Sequence, residues 1–299
     1  MTGSEHRTEW GTLALIGVAH SAWLFATSGL AGVSTVLAVV PLALVVALYS
    51  SLQHEVIHGH PTRSRALNEA LVFPALTVLI PFGRFRDDHL AHHRDERLTD
   101  PYDDPETNYL HPGDWRQTCS LGKALGLFNN TLLGRITIGT ALAQWRFMRG
   151  DWRRVRAGEA AVRRAWLHHL AGLAPVLGWL IWAGQMPVWL FLLGTYAGLS
   201  IIKIRTFLEH QAHARARART VVIEDRGLLA FLFLNNNFHV VHHMHPRVPW
   251  YRLPGLYAAN RERYLRRNDG YRYASYGEVF RRHFWRRKDP VAHPLIEEV

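Results

Sequence analysis

The sequence has almost no cysteine. A single thiol, Cys119, stands among 299 residues, so no internal disulfide and no cysteine-rich zinc or iron–sulfur site can form. It reads as an ordinary small side chain. Charge is missing too, over long stretches. Between Trp10 and Gln53, and again between Ala165 and Ile202, there is no Asp, Glu, Lys or Arg. A helix packed on one side of a soluble core shows a polar stripe on the other, and these runs show none. The residues before the first run include Glu5, Arg7 and Glu9. That run is too long for the apolar core of a cleaved signal, so it reads as a retained membrane segment. No helix-turn-helix, zinc-finger or RNA-recognition pattern is present, so nucleic acid is not an expected partner. There is no internal repeat and no low-complexity linker.

A helix rises about 1.5 Å per residue and a bilayer core needs about 20 residues. Each uncharged run is therefore long enough to cross twice. Ser28-Gly29-Leu30-Ala31-Gly32 divides the first into spans near 13–27 and 33–52, and Ala183-Gly184-Gln185-Met186-Pro187 divides the second into spans near 166–182 and 188–202. The expected fold is all-α and integral to a membrane. It has about four transmembrane helices in two hairpins and a cytoplasmic helical cap, within one domain over 1–299. Leu71–Phe82, apolar but short and holding Pro74 and Pro81, reads as an interfacial or re-entrant piece. Leu121–Ala143, with Lys123 and Arg135, reads as an amphipathic helix on the membrane surface.

The net charge of +11 is unevenly spread. The hairpin turns carry none of it, while arginines crowd the stretch between the hairpins (Arg63 to Arg164) and the region after the second. The positive-inside rule then puts both termini and residues 53–164 and 203–299 on the cytoplasmic side, as in a bacterial-type inner membrane.

Nineteen histidines are the conspicuous excess. Three clusters hold about half of them: His54-Glu-Val-Ile-His58-Gly-His60, His89-Leu-Ala-His92-His93, and His239-Val-Val-His242-His243-Met-His245. Residues three and four apart share a helix face, so each cluster presents two or three imidazoles to one point. Neutral imidazole ligates Fe, Zn, Cu and Ni. Eight or more rings are too many for one four-coordinate zinc, and two metals are the natural count. The pair of Glu-x-x-His motifs on which soluble dimetal carboxylate bundles are built is absent, Glu55-Val-Ile-His58 being a single instance. Oxidation of a C–H bond would call for iron or copper, since zinc has no redox chemistry; the spacing does not choose the element. A metal carrier or a haem cytochrome would set its histidines within the spans. Here only His20 lies inside one, with His168 and His169 at a span end, read as interfacial.

With HxxxH at His54 and His58, HxxHH at His89–His93 and HxxHH at His239–His243, the chain resembles the membrane fatty acid desaturase–hydroxylase superfamily over roughly residues 10–255. The order and separation match as well, one hairpin before the first box and another between the second and third. The resemblance implies a membrane oxidoreductase with two Fe ions (a non-haem diiron centre), O2 as cosubstrate and a lipid-like substrate. It also implies electrons from an external redox protein, ferredoxin- or cytochrome-type, and its reductase. Desaturation of a fatty acyl chain is the first expectation. Lipid or carotenoid hydroxylation or ketolation is the alternative, since His243 to Pro254 is similar to the end of bacterial carotenoid ketolases as well as of many desaturases. The implied ligands are His54, His58, His89, His92, His93, His239, His242 and His243, with His210 added because Glu209-His210 looks like an element of the alkane hydroxylases. Acyl-CoA desaturases hold a water ligand through an Asn four residues earlier, where this chain has Thr206.

His60 is an extra, either a group supporting a ligand ring or, with the helix ending at Gly59, an alternative to His58 as ligand. His245 is placed to hydrogen-bond a ligand ring. Glu55, Asp88 and Asp95 adjoin the boxes and stand where they would orient imidazoles. His213 reads as a surface residue. His111-Pro112-Gly113-Asp114 has a faint likeness to the haem motif of fused electron donors, lacks its last glycine, and reads as a loop.

Overall fold

The structure, a computed structural model, describes residues 8–297; Glu5 and Arg7 lie outside the described residues. The chain is mostly helical. Seven helices carry the argument: α1 (Trp10–Val33), α2 (Thr35–Ile57), α3 (Phe82–His92), α4 (Gly139–Arg156), α5 (Ala160–Trp182), α6 (Val188–Thr206) and α7 (His239–Met244). Two short strands, β1 (Val222–Ile223) and β2 (Arg272–Tyr273), pair in parallel with Val222 opposite Arg272. Helices α1, α2, α5 and α6 are long and apolar enough to cross a membrane. The chain falls into two compact units. One comprises the described residues through Arg86 with Gln144–Ile201, the other Asp87–Ala143 with the residues from Ile202 onward.

In the first unit the expected turn at Ser28–Gly32 is instead wound into α1. A π-helical turn over Ala26–Leu30 carries the helix on to Val33. The Ser28 hydroxyl, part of the expected turn, donates back into the helix to the Leu24 carbonyl, as Thr27 before it does to the Trp23 carbonyl. That is how small polar residues survive in an apolar helix. The reversal comes at Ser34, extended at φ −157°, whose side chain accepts the Leu37 N–H and starts α2. Helix α2 then runs past the uncharged run to Ile57, taking His54 and Glu55 with it.

Close contact in this unit is made by glycine. A Cβ at Gly194 would stand 2.7 Å from Leu42, and one at Gly198 would stand 2.6 Å from the Val46 side chain and 2.7 Å from the Ala43 carbonyl. This four-residue repeat of small residues on α6 lets two backbones approach where apolar surroundings give no hydrophobic drive. Residues 72–81 form no regular helix, in keeping with an interfacial piece. Their carbonyls are taken by side chains: Tyr49 donates to Val72 and Pro74, Gln144 to Leu79, and His169 to Val78 at 2.7 Å. His169 is thus buried rather than interfacial as expected, because an irregular backbone in apolar surroundings needs donors. His168, one residue earlier, is exposed. His20 bonds the Ile16 carbonyl and packs edge-on against Tyr49.

The second unit is built of shorter pieces. Leu121–Ala143 is not one helix. Thr131 accepts the Gly134 N–H and begins a new helix at Leu132, after one that ends at Asn129. His111-Pro112-Gly113-Asp114 is not plain loop either, since His111 caps the helix Pro112–Gln117 through its ring nitrogen. Cys119 is exposed. The core gathers Val222, Phe238, Val240, Val241, Leu253, Tyr257 and Tyr264, so the flanks of α7 are anchored in apolar packing beside β1.

Candidate metal centre

The second unit positions seven of the expected ligands. His89 and His92 occupy the last turn of α3, and His93 follows it with its N–H bonded to the His89 carbonyl. Helix α7 is a single turn and a half. Its place is set by Val240 and Val241 in the core and by the Val240 N–H on the Val221 carbonyl at 3.0 Å. Three consecutive asparagines lead into it. Asn235 takes a left-handed φ of 54°, a conformation asparagine tolerates. Asn236 faces His239 at 3.0 Å, and Asn237 donates to the Ile223 and Asp225 carbonyls. His210 lies beyond the end of α6, bridged to Thr220.

Two groups result. His89, His93 and His242 offer ligand nitrogens within 4.8 Å of one another, and so do His92, His210, His239 and His243. Five close ring contacts join Nε2 to Nε2. The distances are 3.0 Å for His89–His93, 3.1 Å for His93–His242, 2.9 Å for His92–His210, 3.1 Å for His210–His239 and 3.1 Å for His239–His243. The opposite ring nitrogens of three rings are spoken for. Nδ1 of His89 bonds Glu106 at 2.9 Å, that of His92 bonds Asp104 at 2.7 Å, and that of His239 bonds Asn236. In a neutral ring this puts the hydrogen on Nδ1 and leaves a lone pair on Nε2.

Hydrogen bonds alone do not account for that arrangement. His210 Nε2 stands 2.9 Å from His92 Nε2 and 3.1 Å from His239 Nε2, and a neutral His210 has there either one hydrogen or one lone pair. At least one of the two contacts therefore goes without a hydrogen bond. A cation shared by the rings removes the conflict: two nitrogens about 2.1 Å from one ion and at about a right angle stand roughly 3.0 Å apart. The donor set fits a metal.

The charges agree. Burial would lower the His92 pKa, but the carboxylates of Glu106, Asp104 and Glu209 outweigh it and hold it up at about 9. Burial would raise Glu106, yet the His92 and His89 rings hold it below the usual carboxylate range. Burial raises Glu209, against the pull of Arg205 2.9 Å away. His210 and His239 are pushed well below the usual value by burial and then by neighbouring rings, so both stay neutral and able to ligate. Three acidic side chains around these imidazoles make a place for positive charge.

In the first unit His54 and His58 have ring centroids 4.9 Å apart, one helical turn along α2. Gly59, at φ 96°, ends the helix directly after His58. His60 is turned to Glu9 instead, Nδ1 to Oε1 at 2.6 Å, both buried. Glu55 is buried with its carboxylate 4.0 Å from His54 Nδ1. In the second unit His245 packs against Tyr264 and belongs to neither group of imidazoles. His213 pairs with Asp269 at 3.4 Å. Asp88 is half-buried, and the Asp95 side chain lies outside the described residues. The residues that sequence reasoning missed are Asp104, Glu106 and Asn236. Asn236 had a usable signal, standing three residues before a box histidine. Asp104 and Glu106 lie in a loop with no period to mark them.

The family model described as fatty acid desaturase matches residues 11–275. No curated protein matches the chain.

Proposed function

The chain belongs to the fatty acid desaturase family, a family of lipid-modifying oxidoreductases, and from that premise we propose that it is an O2-dependent diiron enzyme that introduces a double bond into a fatty acyl chain. The observation that carries the reading is the convergence of seven Nε2 atoms into two groups. His89, His93 and His242 would hold one iron, and His92, His210, His239 and His243 the other. His54 and His58, the family's first box, would join the first set. Iron bound there would supply the redox chemistry for O2 and C–H bonds that no side chain here possesses.

The chain's own residues do the rest. Asp104, Glu106 and Asn236 accept the Nδ1 hydrogens, which fixes each ring's tautomer and aims its Nε2. Large apolar side chains exposed along the spans, among them Leu167, Leu170, Ile181, Trp182 and Trp189, face lipid, the solvent from which the substrate comes. In the reaction a CH2–CH2 unit loses two hydrogens and becomes CH=CH. O2 accepts them with two electrons from an external ferredoxin- or cytochrome-type donor and two protons, and leaves as two waters. The spans sit in a bacterial-type inner membrane with both termini cytoplasmic, the arginine-rich side inward.

The test is iron analysis of the purified protein together with lipid profiling of a host expressing it with and without His239→Ala. The expected result is bound iron and a new double bond in an acyl lipid, both dependent on His239. An alcohol or ketone in its place would keep the centre and correct the outcome. A metal-loaded protein that changes no lipid would defeat the proposal.

A further inference from the structure

His210 differs from the other six candidate ligands of its unit in what carries it. Those six stand on or directly after α3 and α7, whereas His210 lies in an irregular stretch after α6. A helix fixes a ring by its own backbone hydrogen bonds. A loop ligand needs an outside hold, and residues 288–293, past the stretch shared with the family, supply one.

Lys288, almost wholly buried, donates its ammonium to the His210 carbonyl and lies 3.2 Å from the Asp289 carboxylate. Asp289 accepts the Tyr109 hydroxyl, and that hydroxyl accepts the Ala212 N–H at 2.9 Å. One Lys–Asp–Tyr relay thus grips the chain on both sides of Gln211. Its base is fixed in turn. The Lys288 N–H bonds the Asn130 carbonyl, Leu110 bonds the Val291 carbonyl, and His293 bonds back to Leu110, each at 2.9 Å. A buried ammonium is costly unless its donors are used, and here they go to the backbone carbonyl of a ring in the candidate centre.

We infer that Lys288, Asp289 and Tyr109 form a clasp that sets the position of the His210 ring, with Lys288 a positioning residue for the group His92, His210, His239 and His243. The clasp rests on the reading of that group as an iron site. Lys288→Met keeps the length of the side chain but leaves the His210 carbonyl without its donor and Asp289 without its cation. Lys288→Arg keeps the charge and the donors. Tyr109→Phe removes one oxygen and little else.

The experiment titrates Fe(II) into each full-length protein in detergent against a competing chelator, with helix content followed by circular dichroism. Lys288→Met is expected to keep wild-type helix content and to bind one of its irons at least about 10-fold more weakly, the scale seen when a group supporting a ligand is lost. The other iron is unchanged, Tyr109→Phe loses less at the same ion, and Lys288→Arg recovers most of the loss. Wild-type titrations from both Lys288→Met and Tyr109→Phe overturn the clasp, and so does equal weakening of both ions in a folded variant. Should Lys288→Met lose helix content, Tyr109→Phe decides alone. A wild-type protein that binds no iron overturns the reading of the site itself, a result distinct from iron-loaded variants that behave like wild type.

Discussion

Helix α6 meets α2 closely at Gly194 and Gly198, whereas α7 is held by asparagines and backbone hydrogen bonds. The first contact is a matter of volume and the second of donors and acceptors. A methyl group in the wrong place should therefore damage the spans and leave the site chemistry alone. A single atom change near the imidazoles should spare the fold and damage the site.

The largest effect expected is from His239→Ala. It removes a nitrogen that meets both His210 and His243, and the loss in affinity for one iron should exceed the roughly 10–100-fold typical of outer groups. Circular dichroism should stay that of wild type while chelator competition reports the loss. Next is Gly198→Val, whose branched side chain has no room beside Val46 and Ala43. Overpacking of this kind costs about 1–3 kcal/mol, read as a lower melting temperature in detergent with iron content per folded chain unchanged. If Gly198→Val stripped iron without lowering the melt, the contrast between the two regions would fail.

Asp104→Asn comes third. Its oxygen still accepts from His92, but the charge is gone, and iron affinity should fall by about 10-fold. The smallest effect belongs to Glu224, partly exposed, which ties Tyr257, Arg261 and Arg272 together. Burial would raise its pKa, but hydrogen bonds from Arg261, Tyr257 and Arg272 pull it down to about 2. The depressed value means its contribution is present above the unfolded carboxylate range near pH 4.5 and is lost as pH falls toward 2. Glu224→Gln should change stability by less than about 1 kcal/mol and flatten the melt-versus-pH curve in that window.

The spans could be read from the chain because charge is excluded from lipid, and two uncharged runs mark them. The boxes could be read because a helix repeats every three to four residues. Where neither rule reaches, sequence reading lost its grip. Ser28 to Gly32 suggested a turn, since nothing local shows that the Ser28 hydroxyl bonds back to Leu24. His60 stood out only as an extra beside the first box, and nothing local shows that Glu9, far earlier in the chain, takes its Nδ1. His169 looked interfacial because its acceptor, the Val78 carbonyl, belongs to a segment with no pattern of its own. Asp104 and Glu106 answer to the histidines only across a loop.

The imidazole array has a chemical cost of its own. Nitrogen donors of this kind hold no preference for iron; the stability order of divalent ions ranks copper and zinc above ferrous iron at such sites. Fidelity therefore falls to supply, that is, to which ion the cell offers while the chain is folding. A preparation that meets trace zinc would be loaded, folded and inert.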